Sequence, residues 1–333
     1  MQNILVAGGA GFIGSNLVRY LIEKHPQYRL IVFDKLTYAG NLDNLQGVGQ
    51  KRYAFVQGDI TDAARVEAAI CQYEIDALIN LAAESHVDRA ILDPMTCMRT
   101  NKCGTQVLLE AVKKYDLRAH FVTTAQGWAE EESGDKTNGA GLLNPYTAMK
   151  KNGDDLIRTY MAEHGILATC TRSVNNIGPY QYPEKVVPLF ITNAIDDLPL
   201  PIYGDGWQKR DYLCVHDHCT AIDLILHQGH IGEFYDVGTG SEIVNLDMAR
   251  LILQLLSKPE ALLRHVPNRP GRDWVYGLDI DKTRSLGWRA RHTFEQTLER
   301  TVLWYVENEW WWRKIKSGPA FQTYVRQTYA TPG

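Results

Sequence analysis

The sequence contains no apolar run approaching the roughly 20 residues that cross a bilayer, so no membrane partner is expected. Neither sign of charge dominates. The 35 Lys and Arg against 39 Asp and Glu leave a formal net charge of -4, which gives no general attraction to nucleic acid or anionic lipid. Any phosphate site must therefore be local, and no nucleic-acid partner is expected. Cysteine is sparse, with six residues (Cys71, Cys97, Cys103, Cys170, Cys214 and Cys219) scattered through 333 positions. That spacing excludes a disulfide framework and points to a reducing, cytoplasmic setting. Repeats, low-complexity tracts and flexible linkers are missing too. The opening "MQNILVAGGAGFIG" lacks the basic stretch and small-residue cleavage site of a secretory leader.

What is present is an alternation. The runs "NILVAGG", "RLIVFD", "YAFVQGD", "ALINLAA" and "AHFVTT" are nearly continuous in apolar residues, as buried parallel strands are. Amphipathic stretches separate them: "IGSNLVRYLIEKH", "AARVEAAICQY" and "NKCGTQVLLEAVKKY". This order predicts an α/β fold, a Rossmann-type doubly wound parallel sheet, over residues 1–185. After Val186 prolines accumulate and the pattern loosens, predicting a smaller mixed lobe over 186–333 with some elements interleaved between the two. Its clear helices are expected in "SEIVNLDMARLILQLL" and "TFEQTLERTVLWYVENEWW", with Trp310 to Trp312 covering the lobe.

The first predicted strand ends in Gly8-Gly9-Ala10-Gly11-Phe12-Ile13-Gly14. Gly8 permits a tight turn, Gly11 lets the backbone approach a pyrophosphate, and Gly14 allows close helix–strand packing. The helix N-terminus then offers oriented N–H groups and positive dipole to phosphates. Asp34 ends the next strand, 20 residues after Gly14. Its carboxylate suits the adenosine ribose hydroxyls and would repel a 2′-phosphate, which favours NAD over NADP. In "NPYTAMKK", Tyr146 and Lys150 are four apart and share one helix face. A tyrosine with pKa about 10 is a poor base at neutral pH, and a nearby ammonium ion favours its phenolate. Tyr146 could then take a hydroxyl proton while hydride leaves the same carbon.

With these features together, the chain resembles an extended short-chain dehydrogenase/reductase. "DKLTYAGNLDNL", "LAAESHVDRAI", "NNIGPYQYPEK", "LPIYGDGWQKRDYLCVHDH" and "NRPGRDWVYGLD" are similar to the dTDP-glucose 4,6-dehydratase family, as is "SLGWRARHTFEQTLERTVLWYVEN" near the C-terminus. The resemblance implies that Phe12 and Ile13 lie in the phosphate turn, that Asp34, Lys35, Leu36 and Thr37 hold the adenosine ribose, and that Asp59 and Ile60 hold the adenine. It places Ala82, Ala83, the rest of the segment to Ser85, and Thr100 along the cofactor channel. Ser85, Thr124 and Asn175 would face the hexose, and Asn176 the nicotinamide end. Lys185 and Val186 would border the substrate cleft. Pro201, Ile202 and Tyr203 would cradle the nucleotide base, and Arg210, Asn245 and Arg269 the diphosphate, with Tyr276 in the same site. Arginine suits that task because its planar fork donates two charge-assisted bonds to phosphate oxygens. The implied partners are a dTDP-linked nucleotide-diphosphohexose and a second copy of the chain. Pairing would use helices near 105–114 and 146–164, where Leu108, Leu109, Val112, Ile157 and Met161 could form the seam or simply the core.

"CVHDHC" (214–219) packs metal-ligand types into six residues, and on a strand Cys214, His216 and His218 would share a face. The resemblance assigns that stretch to a strand-to-helix segment without a metal, so none is expected. Arg210 beside Asp211 could also be no more than a surface ion pair.

At one motif the chain departs from the family. There a Thr-Asp-Glu motif follows the fifth strand: Thr polarises the C4 hydroxyl, Asp protonates the departing C6 hydroxyl and Glu removes the C5 proton. Here those positions are Thr124, Ala125 and Gln126, followed by Gly127 and Trp128. Glutamine cannot abstract a proton at neutral pH, and alanine has none to donate. Oxidation at C4 needs only NAD, Tyr146, Lys150 and Thr124, all of which remain. The expected function is NAD-dependent hydride transfer at C4, with elimination of water across C5 and C6 left without its usual groups. Glu130, Glu131 or Glu132 could replace the missing base or form a solvated acidic loop. The alternatives are a 4-epimerase, a keto-sugar reductase and a silent nucleotide-sugar binder.

Overall fold

The computed structural model describes residues 1–49, 51–124, 145–267 and 278–329. Within them seven parallel strands form one sheet in the order β10-β6-β5-β4-β1-β2-β3. The strands are β1 (Asn3–Ala7), β2 (Arg29–Asp34), β3 (Tyr53–Gln57), β4 (Ala77–Asn80), β5 (Arg118–Thr124), β6 (Ala168–Ser173) and β10 (Phe234–Val237). The apolar runs of the sequence supply the first five. Helices α1 (Phe12–Lys24), α2 (Ala63–Tyr73), α3 (Thr105–Tyr115) and α4 (Pro145–His164) separate the early strands. One face of the sheet packs Phe33, Leu78 and Phe121 against α2, α3 and α4 through Ile70, Leu109 and Ile157. The opposite face packs Ile4, Val32 and Ile79 against α1 and the helix 215–228 through Leu17, Leu21, Ile222 and Leu226.

The second half of the chain builds two small sheets from β7 (Asn175–Ile177), β8 (Leu200–Tyr203), β9 (Lys209–Cys214), β11 (Glu242–Val244) and β12 (Leu263–Val266), ordered β11-β9-β7 and β12-β8. They share a core with α5 (Val186–Ile195), α7 (Asn245–Leu255), α8 (Phe294–Glu307) and α9 (Glu309–Lys316). The chain returns to the first sheet through α6 (Val215–Gln228) and β10.

Two sequence expectations change and one left open is decided. "SEIVNLDMARLILQLL" is not one helix: Glu242–Val244 pair antiparallel with β9, and the helix begins at Asn245. The last long amphipathic stretch breaks at Asn308 into α8 and α9. Of the two readings left open for Leu108, Leu109, Val112, Ile157 and Met161, the core applies, since all five are buried within one chain.

Trp311 and Trp312 are buried, and their indole N–H groups donate to Asn44 Oδ1 and the Tyr305 carbonyl, each at 2.8 Å. Trp310 is 47% exposed. Trp312→Ala is therefore expected to cost about 3–5 kcal/mol in denaturant unfolding. Trp310→Ala should change stability by less than about 0.5 kcal/mol. Equal losses in the two variants would contradict this packing.

Candidate active site

The strand order around β1 and β4 reverses direction, and the crevice beyond their C-terminal ends is where a doubly wound sheet binds ligands. Gly8 follows β1 with φ +77°, and a side chain there would lie 2.6 Å from the Ala82 amide nitrogen that follows β4. The two loops thus touch at the switch point. At Gly14 a Cβ would overlap the Gly8 carbonyl and stand 2.7 Å from Gly9 Cα, so only glycine lets α1 begin so close to the turn. Gly11 precedes α1 in an extended conformation. Phe12 and Ile13 open the helix, whose first N–H groups face the turn.

Asp34 is buried, and its oxygens accept from the Ala10 amide at 3.0 Å and the Leu36 amide at 2.8 Å. Burial raises its carboxyl pKa and those two amides oppose the rise. The carboxylate therefore clamps the glycine turn as well as standing at the ribose position. Leu36 itself takes a left-handed conformation, φ +59°. Lys35 pairs with Asp59 at 2.7 Å, joining two residues expected at the adenosine end, and Thr37 lies exposed beside them. Ile60 is buried in the core, its side chain against Gly104.

At the other end of the crevice a cleft is lined by Asn80, Ala82, Ala83, Asn101, Thr123 and Lys150 among others. Tyr146 and Lys150 lie on α4, which starts at Pro145, a residue preorganised for a first helical position. Burial lowers the Lys150 pKa, while Asp154, Cys97 and Glu84 oppose that fall. Thr124 ends β5 in register with Ser173 of β6. Thr100 and Asn101 sit in a π-helical turn, 99–104, ahead of α3. The Asn101 amide holds both the N–H and the carbonyl of Glu84 at 2.9 and 3.0 Å, fixing the loop that carries Ser85.

Asn176 donates to Ser173 Oγ and the Val174 carbonyl, and its buried Oδ1 has no hydrogen-bond partner among the described residues. An orphaned buried acceptor at the nicotinamide end fits a carboxamide donor. Together with the glycine turn and Asp34, it makes these residues fit NAD.

The second lobe closes over the same loops. Lys185 Nζ donates to the Ser85 carbonyl at 2.5 Å, with Val186 starting α5 beside it. Asn175 is exposed at the start of β7. Strand alternation buries Ile202 in the lobe core and leaves Pro201 and Tyr203 on the other face. Asn245 opens α7, its amide oxygen held by the Tyr212 hydroxyl at 3.0 Å. Asp211 bonds Thr239 and Gly240 at 2.6 to 2.9 Å, a turn-capping role in place of a simple ion pair with Arg210. Ala125, Gln126, Glu130, Glu131, Glu132, Arg269 and Tyr276 lie outside the described residues, as does the Tyr146 side chain.

Sequence reasoning missed the ties beneath the cofactor loops. Arg89 bonds the buried Glu184 at 2.9 Å and lies 3.7 Å over the Tyr38 ring, with Tyr324 of the last helix at 5.1 Å. Only the tertiary fold brings those four together. It also overturned the strand geometry imagined for "CVHDHC". Cys214 ends β9 and residues 215–228 are helical, so Cys214, His216 and His218 share no strand face. Asp217 instead accepts from the Arg291 and His292 amides and His292 Nδ1. A second cluster joins His25 and His227 through Asp223 at 2.8 and 3.1 Å. Its imidazoles stack 5.1 Å apart at 23°.

Comparison with known proteins agrees with this geometry. The family described as GDP-mannose 4,6 dehydratase matches residues 5–301. A dTDP-glucose 4,6-dehydratase from Streptomyces niveus is 43% identical, covering 95% of this chain and 96% of that protein. The crystal structure of a dTDP-glucose 4,6-dehydratase from Streptomyces venezuelae with NAD and TYD bound is 41% identical, with TM-score 0.87 over 95% of this chain and 100% of that one. A UDP-glucose 4-epimerase from Thermotoga maritima is 27% identical, with TM-score 0.83 over 92% and 100%. The chain belongs to the nucleotide-sugar 4,6-dehydratase family, and its relatives there are dTDP-glucose 4,6-dehydratases.

Proposed function

We propose that this chain is an NAD-dependent enzyme that oxidises C4 of a dTDP-linked hexose and completes its reaction without the usual acid–base pair. The observation that carries the reading is Lys150 in the switch-point cleft, one helical turn after Tyr146 and beside the loops that fit NAD. Lys150 favours the Tyr146 phenolate, which takes the C4 hydroxyl proton, and Thr124 polarises that hydroxyl. NAD, when bound, accepts the hydride. Asp34 and the glycine turn hold the adenosine and pyrophosphate, and Asn176 orients the nicotinamide. Pro201, Tyr203, Arg210, Asn245, Arg269 and Tyr276 hold the nucleoside diphosphate, while Ser85, Asn175, Lys185 and Val186 enclose the sugar. Residues 1–185 serve chiefly the cofactor and 186–333 chiefly the sugar nucleotide.

Ala125 and Gln126 favour a second reading, a 4-epimerase, in which hydride returns to the other face of C4 after the hexose turns over. Incubation with dTDP-glucose in D₂O separates the two. A 4-keto-6-deoxy product labelled at C5 means that other groups complete the elimination. A galacto-configured product without label means epimerisation. A 4-keto hexose formed with an equal amount of NADH leaves a keto-sugar reductase running in its oxidising direction. Unchanged sugar without NADH would leave a silent binder and refute the hydride-transfer reading.

We further propose a cytoplasmic homodimer, paired through the outward faces of α3 and α4. A monomer mass by light scattering would refute the pairing.

A further inference from the structure

We propose that Asp154 is a positioning residue that holds Lys150 as an ammonium ion, and thereby sets the upper pH limit of the hydride step. Its consequence for rate rests on the hydride-transfer reading above; its geometry rests on the cleft alone.

Asp154 follows Lys150 by one turn of α4, and both line the cleft with Asn80, Asn101 and Thr123. The Asp154 residue is 1% exposed. A buried carboxylate is costly unless a cation answers it, and an ammonium ion in such a cleft is equally costly without an anion. Three titratable groups act on Lys150: Asp154 from its own helix, Cys97 from the short helix Pro94–Met98, and Glu84 from the loop after β4. Asp154 is the strongest of them against the lowering by burial. Cys97 has its own thiol pKa raised by burial and is not a standing anion at neutral pH. Glu84 is likewise raised by burial, and it also faces Arg89 and Lys35. Asp154, one helical turn away in the same cleft, therefore opposes the effect of burial on Lys150 more than Cys97 or Glu84 does.

The competing role is structural, because Asp154 Oδ2 also accepts the Thr123 hydroxyl at 3.4 Å. Asp154→Asn separates the two, since asparagine keeps an acceptor for Thr123 and loses the charge. Thr123→Val does the converse. The direct readout is the titration of Lys150 in the NAD-bound protein, followed by NMR of isotope-labelled lysine and assigned with Lys150→Arg. Asp154→Asn should lower the Lys150 midpoint by about 1–3 units. Asp154→Glu should restore most of it, and Thr123→Val should leave it in place.

The alkaline limb of sugar-dependent NAD reduction should move to lower pH by the same amount. The sign follows because Asp154 raises the Lys150 pKa, so its removal lets the ammonium ion deprotonate earlier. A midpoint unmoved in Asp154→Asn, or moved equally by Thr123→Val, would overturn the inference. If Asp154→Asn does not fold, the wild type decides: a Lys150 midpoint below about 7, far under the ordinary value near 10.4, is equally fatal. The titration needs no sugar. A wild type that never reduces NAD therefore removes the hydride reading and leaves this test intact.

Discussion

Ala125→Asp combined with Gln126→Glu should raise the rate of C5/C6 elimination by about 10²- to 10⁴-fold or more, because each replaced group is of the kind that contributes that factor. The double variant should convert dTDP-glucose into a 4-keto-6-deoxy product carrying deuterium at C5 in D₂O. The oxidation half-reaction should change little, since Tyr146, Lys150 and Thr124 are untouched. Gln126→Glu alone restores a base and should permit exchange of the C5 proton in the 4-keto sugar, while loss of the C6 hydroxyl still lacks its acid. Ala125→Asp alone should do less, because elimination begins with proton removal at C5. If the double variant eliminates no faster than the wild type, the chain already has another acid and base in place. The functional weight would then shift to groups such as Glu130, Glu131 or Glu132.

The frame of this site was legible in the sequence because its causes are local. A buried parallel strand needs a continuous apolar run, and the segments ending at Ala7, Asp34, Gln57, Asn80 and Thr124 each have one. The glycine turn could be read because three backbone demands fall within seven residues. The Tyr146–Lys150 spacing was legible because a helix places every fourth residue on one face. What escaped depends on partners distant in sequence. Glu242–Val244 is a strand because β9 offers it an edge, although the residues beside it suit a helix. Ile202, expected beside the nucleotide base, turns its side chain into the core because β8 alternates, which the residue type alone does not reveal. The π-helical turn at 99–104 has no compositional signature, yet it aims Asn101 at Glu84. Asp154 lay within reach of sequence reasoning, being Lys150 plus four. Only its burial separates it from Asp155, its exposed neighbour.

Gly14→Ala should weaken NAD binding by at least about 10²-fold, close to 3 kcal/mol, and should also lower thermal stability. The added Cβ would overlap the Gly8 carbonyl oxygen and stand 2.7 Å from Gly9 Cα. Both neighbours are main chain, so no side chain can swing aside, and α1 has to back away from β1. That displacement moves the N–H groups that would hold the pyrophosphate, and it loosens Leu17, Val18 and Leu21 in the core beneath. Gly11→Ala is the control. Its Cβ would approach the Gly8 carbonyl only to 3.3 Å, and its backbone (φ -80°, ψ -175°) suits any residue. That variant should fold as the wild type does and lose affinity for NAD alone, because the methyl group occupies the space through which the pyrophosphate meets the turn. Calorimetric titration with NAD and thermal melts separate the two effects. If Gly14→Ala binds NAD within about threefold of the wild type, a difference below 1 kcal/mol, the close approach of helix and turn does not govern the cofactor site.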